Sequence, residues 1–107
     1  MRVLAEAPPR VWMAISGTLG PATIHPVRRG LKDRVEAGVS ILFLDLRELL
    51  LTDAADRYGL RTLFAVGPPV HFHLVGAPAE IRDCVGTDPR FTLHSRLDSA
   101  WERWVKD

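Results

Sequence analysis

The run Ile41-Leu42-Phe43-Leu44, bracketed by Ser40 and Asp45, constrains this chain more than any other stretch. Four apolar residues in succession leave neither face of a strand polar, so the segment has to be covered on both sides. It is far short of the ~18 apolar residues that a membrane-spanning helix needs. A strand buried on both faces in a small globular chain belongs in a parallel sheet, and parallel neighbours need crossover connections. Ile41 to Leu44 is therefore expected to be the central strand of an α/β fold. After Asp45 a short irregular stretch leads to Thr52-Asp53, where a second apolar period opens (Leu60, Leu63, Phe64) and closes at Gly67-Pro68-Pro69, as a helix does. Sites in open α/β sheets lie at the carboxyl ends of strands, which directs attention to the segment between Asp45 and Gly59.

The flanking segments supply the rest of such a fold. Arg2 to Glu6 and Arg10 to Ser16 are strand-like around Ala7-Pro8-Pro9 and predict an opening hairpin. In the second run Val11, Met13 and Ile15 share one face, so Trp12 points the other way, where a terminal element is expected to cover it. Gly17 to Pro21 read as a loop. Ile24, Val27, Leu31 and Val35 then recur at helical spacing up to Gly38, with Thr23 or His25 as cap and Pro26 in the first turn. Arg28, Arg29, Lys32 and Arg34 are expected on a solvated face, since Arg29 to Asp33 and Lys32 to Glu36 stand at pairing distance. Val70 to Val75 alternates, which places His71 and His73 with Val75 on a partly solvated face. Pro78 opens a short helix burying Ile81, Cys84 and Val85, and Gly86 stops it. Phe91 to His94 is the last strand. Leu97, Ala100, Trp101, Trp104 and Val105 line one side of a final helix, clamped to the body by the two tryptophans.

Length and composition narrow the function classes. The 107 residues, 47% hydrophobic and 25% charged, fit one domain spanning 1–107. A net charge of +1 gives no electrostatic drive toward nucleic acid, and no basic stripe interleaved with aromatics is present. The single cysteine, Cys84, excludes an intramolecular disulfide, and the start of the chain lacks the pattern of a signal peptide, so a cytoplasmic location without membrane insertion is expected.

Chemistry has few footholds. Asp45, Asp53 and Asp56 near the strand end are the only cluster that suits magnesium-dependent phosphoryl transfer. Each also has a structural role to fill, Asp45 in a turn and the others at a helix start. No phosphate-cradling glycine loop or nucleophile elbow accompanies them. His71 and His73 lack a third metal ligand at a suitable spacing. A catalytic role, a metal and a cofactor are all unexpected, which leaves a binding module.

The order of several short motifs resembles the STAS family (sulfate transporter and anti-sigma factor antagonist). The matching residues are Ile15-Ser16-Gly17-Thr18-Leu19, Leu44-Asp45-Leu46, Asp53-Ala54-Ala55, Gly59-Leu60-Arg61-Thr62-Leu63, Leu74-Val75-Gly76 and Leu97-Asp98-Ser99-Ala100. The resemblance implies a βα superhelix, a mixed sheet of about five strands with helices mainly on one side. It also implies a protein partner, an anti-sigma factor kinase or a complex subunit, bound through Thr52, Asp53, Ala54, Ala55, Asp56, Arg57, Tyr58, Gly59 and Leu60; self-association into a homodimer is a further expectation. In the family a Ser or Thr after the loop aspartate accepts phosphate, whose charge breaks the contact. Here that position is Ala54 if Asp53 is the aspartate, or Arg57 if Asp56 is. The first alignment keeps the distance from Asp45 and leaves Asp56-Arg57-Tyr58 as an insertion. No hydroxyl stands at either position, and the secondary candidate, Thr52, is expected to serve as a helix N-cap.

Overall fold

The computed structural model describes residues 1–52, 57–67 and 70–106, with the backbone alone at Arg57 and Tyr58. Along this part of the chain the elements are β1 (Arg2–Ala7), β2 (Arg10–Ala14), β3 (Gly17–Leu19), α1 (Pro21–Glu36), β4 (Ile41–Asp45), β5 (Leu49–Leu51), α2 (Arg57–Leu63), β6 (His71–Val75), α3 (Ala79–Val85), β7 (Phe91–His94) and α4 (Leu97–Lys106). Five strands form one mixed sheet in the order β1-β2-β4-β6-β7. β1 and β2 make the expected antiparallel hairpin, and β2, β4, β6 and β7 run parallel. β4 is thus the central strand. Leu42, Phe43 and Leu44 have no exposed surface, as an unbroken apolar run demands.

The two faces of the sheet bury different chemistry. Val11, Met13, Leu42, Leu44, Phe72 and Leu74 point into a mainly aliphatic core closed by Ile24 and Leu31 of α1, Leu60 and Leu63 of α2, and Ile81 and Val85 of α3. Trp12, Phe43 and Val75 point the other way, into a smaller core closed by Ala100 and Trp104 of α4. Three helices on one side and one on the other agree with the predicted architecture, and Trp12 is covered by the terminal helix as expected. Trp12 stacks on Phe43 at 5.2 Å between ring centroids, and Trp104 meets both rings edge-on.

Several expectations need correction. Gly17 to Leu19 is a strand, β3, which pairs in parallel with β5 as a separate two-stranded sheet. Runs of three residues carry too little periodicity to be read. α1 starts earlier than predicted: Gly20 is the N-cap, Pro21 occupies the first turn, and the Thr23 hydroxyl accepts the Gly20 N–H at 2.8 Å. Pro26 consequently lies inside the helix, where its missing N–H removes one backbone bond. The basic residues of α1 are not one solvated row. Lys32 and Glu36 pair at 3.9 Å, but Arg34 reaches Glu6 of β1, and Arg28 donates to Thr62 O at 3.0 Å and Ala65 O at 2.7 Å. The Thr62 carbonyl lies in the last turn of α2 and Ala65 just beyond it, so Arg28 ties α1 to the negative pole of its neighbour.

α4 also differs. Ala100 and Trp104 are buried, whereas Leu97, Trp101 and Val105 are between 40% and 67% exposed. The helix rests on β6 and β7, so only the inner edge of its apolar arc meets the sheet. Trp104 is the buried anchor, while Trp101, half-exposed, touches Trp12 at 5.7 Å between centroids; Arg10 donates to the Trp104 carbonyl and lies 4.8 Å from the centre of its ring.

The double-sided burial of β4 sets a measurable cost. Leu42→Ala should lower unfolding free energy by about 2 to 5 kcal/mol and Phe43→Ala by about 3 to 5 kcal/mol. Chemical denaturation of both variants tests this, and losses below about 0.5 kcal/mol, the range of unremarkable surface changes, would contradict a central position for the strand.

Candidate partner-binding site

The parallel strands β2, β4, β6 and β7 all end on the same edge of the sheet, and the chain leaves that edge at Ile15, Leu46, Gly76 and Ser95. At its centre Asp45 closes a tight turn. Its Oδ1 accepts the Arg47 backbone N–H at 3.1 Å and Arg47 Nε at 2.9 Å, and its Oδ2 accepts Arg47 Nη2 at 2.8 Å. This is the turn-forming role predicted for Asp45. The arginine hydrogen bonds, outweighing partial burial, hold its carboxyl below the usual carboxylate range, and Asp45 raises Arg47 in turn. Both carboxylate oxygens are therefore engaged by a cation, which removes Asp45 from the magnesium-binding reading. The Arg47 stem lies over Gly76, whose φ is +62°; a Cβ there would fall 2.5 Å from Arg47 Cγ. Glycine is required at this point both for the left-handed backbone and for the close approach.

From this edge the chain passes through β5 to Thr52. The Thr52 N–H donates to Leu19 O at 3.1 Å, continuing the β3–β5 pairing. Its hydroxyl oxygen is buried and has no hydrogen-bond partner among the described residues. A Cβ on Gly20 would come within 2.8 Å of that oxygen, so the side chain is seated against the glycine that caps α1. The helix start that Thr52 was expected to cap lies outside the described residues; among the described residues its hydroxyl makes no bond and rests against Gly20.

The other predicted site residues divide into two groups. Asp53, Ala54, Ala55 and Asp56 lie outside the described residues, as do the side chains of Arg57 and Tyr58, whose backbones open α2. Gly59 is half-buried, and Leu60 is 1% exposed within the main core. Leu60 thus anchors α2 and offers no contact surface, because the 3.6-residue period that identified it as apolar also turns it inward.

A groove that sequence reasoning missed opens on the same edge. It encloses about 860 Å³ and is lined by Leu4, Trp12, Asp45, Arg47, Ser95, Leu97 and Trp101, among others. Leu4 is the extra residue of a bulge, where the register passes from Val3↔Met13 to Ala5↔Trp12. The groove lies between the first half of α4, at Leu97 and Trp101, and β1 at Leu4 and Ala5, beside Trp12, and strand alternation alone does not reveal such a gap between a helix and a sheet. Among the described residues no group of three or more His, Cys, Asp or Glu side chains could hold a metal ion, and no helix is long and apolar enough to cross a membrane. Cys84, predicted as a core residue, is partly buried against the main core. Of the two histidines assigned to a partly solvated face, His71 is half-buried as expected, its Nε2 2.7 Å from Thr92 Oγ1, whereas His73 departs from it and is 1% exposed.

The sequence matches no protein-family model, and it matches no curated protein. The fold, by contrast, is similar to solved structures over almost its whole length. It is similar to the unphosphorylated form of the anti-sigma factor antagonist SpoIIAA, at 14% identity and a TM-score of 0.65, over 99% of this chain and 98% of that one. It is similar to an anti-sigma factor antagonist from Mycobacterium paratuberculosis, at 22% identity and a TM-score of 0.68, over 98% of this chain and 93% of that one. The phosphorylated form of the Bacillus cell fate determinant SpoIIAA aligns at 15% identity and a TM-score of 0.61, over 96% and 97% of the two chains. The protein therefore has the STAS fold of these antagonists.

Two measurements follow from the geometry. A buried hydroxyl without a partner costs stability, so Thr52→Val, which keeps the shape, should raise unfolding free energy by up to about 1 to 3 kcal/mol; a capping threonine would instead lose about 1 kcal/mol on the same change. For Asp45, the depressed folded pKa means that its contribution is present above the usual carboxylate value and fades as pH falls through that value. NMR titration should place the Asp45 midpoint below that of an unpaired aspartate. Arg47→Ala should return it toward the ordinary value and flatten the loss of stability below about pH 5. An unchanged midpoint in that variant would assign the depression to another group.

Proposed function

We propose that this chain is a non-enzymatic protein-interaction module of the STAS type, an anti-sigma factor antagonist-like regulator acting in signal transduction and transcription without the phosphorylation switch of the family. It works as one cytoplasmic domain, bound to an anti-sigma factor kinase or to another complex subunit through the surface of residues 52–59, with Leu60 anchoring that segment from the core. The observation that carries the reading is Ala54. SpoIIAA, whose fold this chain shares from end to end, exists in unphosphorylated and phosphorylated forms. At the position where the STAS resemblance places the phosphate acceptor, this chain has a methyl group in place of a hydroxyl.

The surroundings support the same conclusion. The hydroxyl of Thr52, the nearest before that position, is buried against Gly20 and would have to leave its seat before any kinase could use it. Asp45, the one described member of the carboxylate trio, is held by Arg47 and serves the turn. Arg57 and Tyr58 belong to residue types that dominate binding energies at interfaces, and they open α2 next to the edge on which the parallel strands end. A standing subunit of a transport or signalling assembly is the second reading, favoured by the same lack of an acceptor hydroxyl, since permanent contact needs no release step.

Capture of partners from native lysate by the tagged protein tests the proposal. Arg57→Ala and Tyr58→Ala are each expected to weaken capture by about tenfold or more, equivalent to about 1.4 kcal/mol. Incubation with ATP and the captured kinase, followed by mass spectrometry, is expected to leave Thr52 unmodified while the complex persists. Stoichiometric phosphate on Thr52 together with release of the partner would overturn the unswitched reading. Capture indifferent to both substitutions would move the interface away from residues 52–59.

A further inference from the structure

Two of the four histidines are buried and bonded to each other. His73 of β6 is 1% exposed and His94, at the end of β7, is 6% exposed; His73 Nδ1 and His94 Nε2 lie 3.0 Å apart. On its other side His94 Nδ1 is 2.9 Å from Ser99 Oγ in the first turn of α4. With both rings neutral, each contact holds one proton, one atom donating and the other accepting. The row His73–His94–Ser99 thus joins β6 and β7 to the helix that covers them. Phe43 lies flat against His73, at 4.2 Å between centroids and 6° between planes, and Trp104 meets Phe43 edge-on at 5.3 Å.

This setting opposes positive charge. From β6, the His71 ring stands 4.6 Å from that of His73; from β7, Thr92 is engaged with His71. From β4 the neighbour is the apolar Phe43, and Asp45 at that strand's end is already paired with Arg47. From α4 come Ser99, Trp104 and the cation of Arg103. Burial first, then Arg103 and His71, hold His94 below the ordinary histidine range. A first added proton keeps the row intact but leaves a cation buried among aromatic rings. A second makes both facing nitrogens donors, and a 3.0 Å contact between two donors cannot persist.

We propose that α4 is a proton-operated latch, released from the sheet when the buried His73–His94 pair takes up protons, with exposure of the aromatic face formed by Trp12 and Phe43. Other ties of the helix, among them Trp104 and Ala100 in the small core, Trp101 against Trp12 and the Arg10 bond to the Trp104 carbonyl, do not titrate near neutrality and keep it closed when the pair is neutral. Because the closed form depresses the His94 pKa, the open form binds more protons. Closure is therefore complete above the ordinary histidine value of about 6.5 and weakens as pH falls through it. Each proton taken up on opening multiplies the opening constant by up to about ten per pH unit.

Amide hydrogen exchange on the full chain, corrected for intrinsic rates and compared at about pH 7.5 and about pH 5.5, tests the latch. Protection of the α4 amides should fall by about tenfold or more across that interval while the β4 amides keep theirs. His94→Gln, which can bond both neighbours but does not titrate, should cut the α4 response by about threefold or more relative to the unsubstituted chain, since the facing pair of titrating nitrogens is gone. NMR titration of the wild-type rings provides an arm that does not depend on the variant folding: His73 and His94 should titrate over the range in which α4 loses protection. Unchanged α4 protection, equal loss in β4, a full response in His94→Gln, or ring titrations unconnected to α4 would each overturn the proposal.

Discussion

Burial of β4 on both faces is the constraint from which the remaining architecture follows. Its side chains alternate between two environments: Leu42 and Leu44 enter an aliphatic core that takes three helices to close, and Phe43 enters an aromatic one that takes a single helix. Parallel neighbours on both sides force the chain to return to the same edge after each crossover, which explains why α1, α2 and α3 share one face. The opening hairpin escapes this rule because β1 runs antiparallel to β2 and needs no helix.

The same alternation places the functional edge. Every parallel strand discharges its chain where Asp45, Gly76 and Ser95 stand, so this edge collects loops while the opposite edge collects helix ends. The Asp45–Arg47 turn, locked over Gly76, gives the edge a rigid centre. Segments beside a rigid centre can vary in sequence without disturbing the core. That separation accounts for how a chain no more than 22% identical to the antagonists it resembles in shape retains their fold over nearly its full length.

Much of this was legible in the sequence because it rests on runs long enough to show a period. The central strand, the hairpin, the last strand and the outward orientation of Trp12 all follow from alternation between two faces. The failures share a different cause, the competition of partners distant in sequence. β3 and β5 exist through mutual pairing and not through propensity. Arg28 and Arg34 left the predicted solvated row for carbonyls at and just beyond the end of α2 and a carboxylate of β1. His73 was assigned to a partly solvated face because α4, which covers it, lies more than twenty residues downstream. At the candidate site, the strand-end aspartate and the missing acceptor hydroxyl could be read directly. The buried seat of Thr52 could not, since it depends on Gly20 across the β3–β5 pair.

All three tryptophans of the chain lie on the α4 side of the sheet, with ring centroids of Trp101 and Trp104 within 5.7 Å of Trp12. The intrinsic emission of this protein therefore views only one of its two cores. Loss of α4 would quench or shift that signal while the helices on the far side remained folded. Ellipticity in the far ultraviolet, by contrast, draws its largest single share from α1, the longest of the described helices, which packs into the aliphatic core. Unfolding curves recorded by the two signals will coincide only if the small core and the large one come apart together, so this protein carries within itself a spectroscopic measure of how strongly its two halves are coupled.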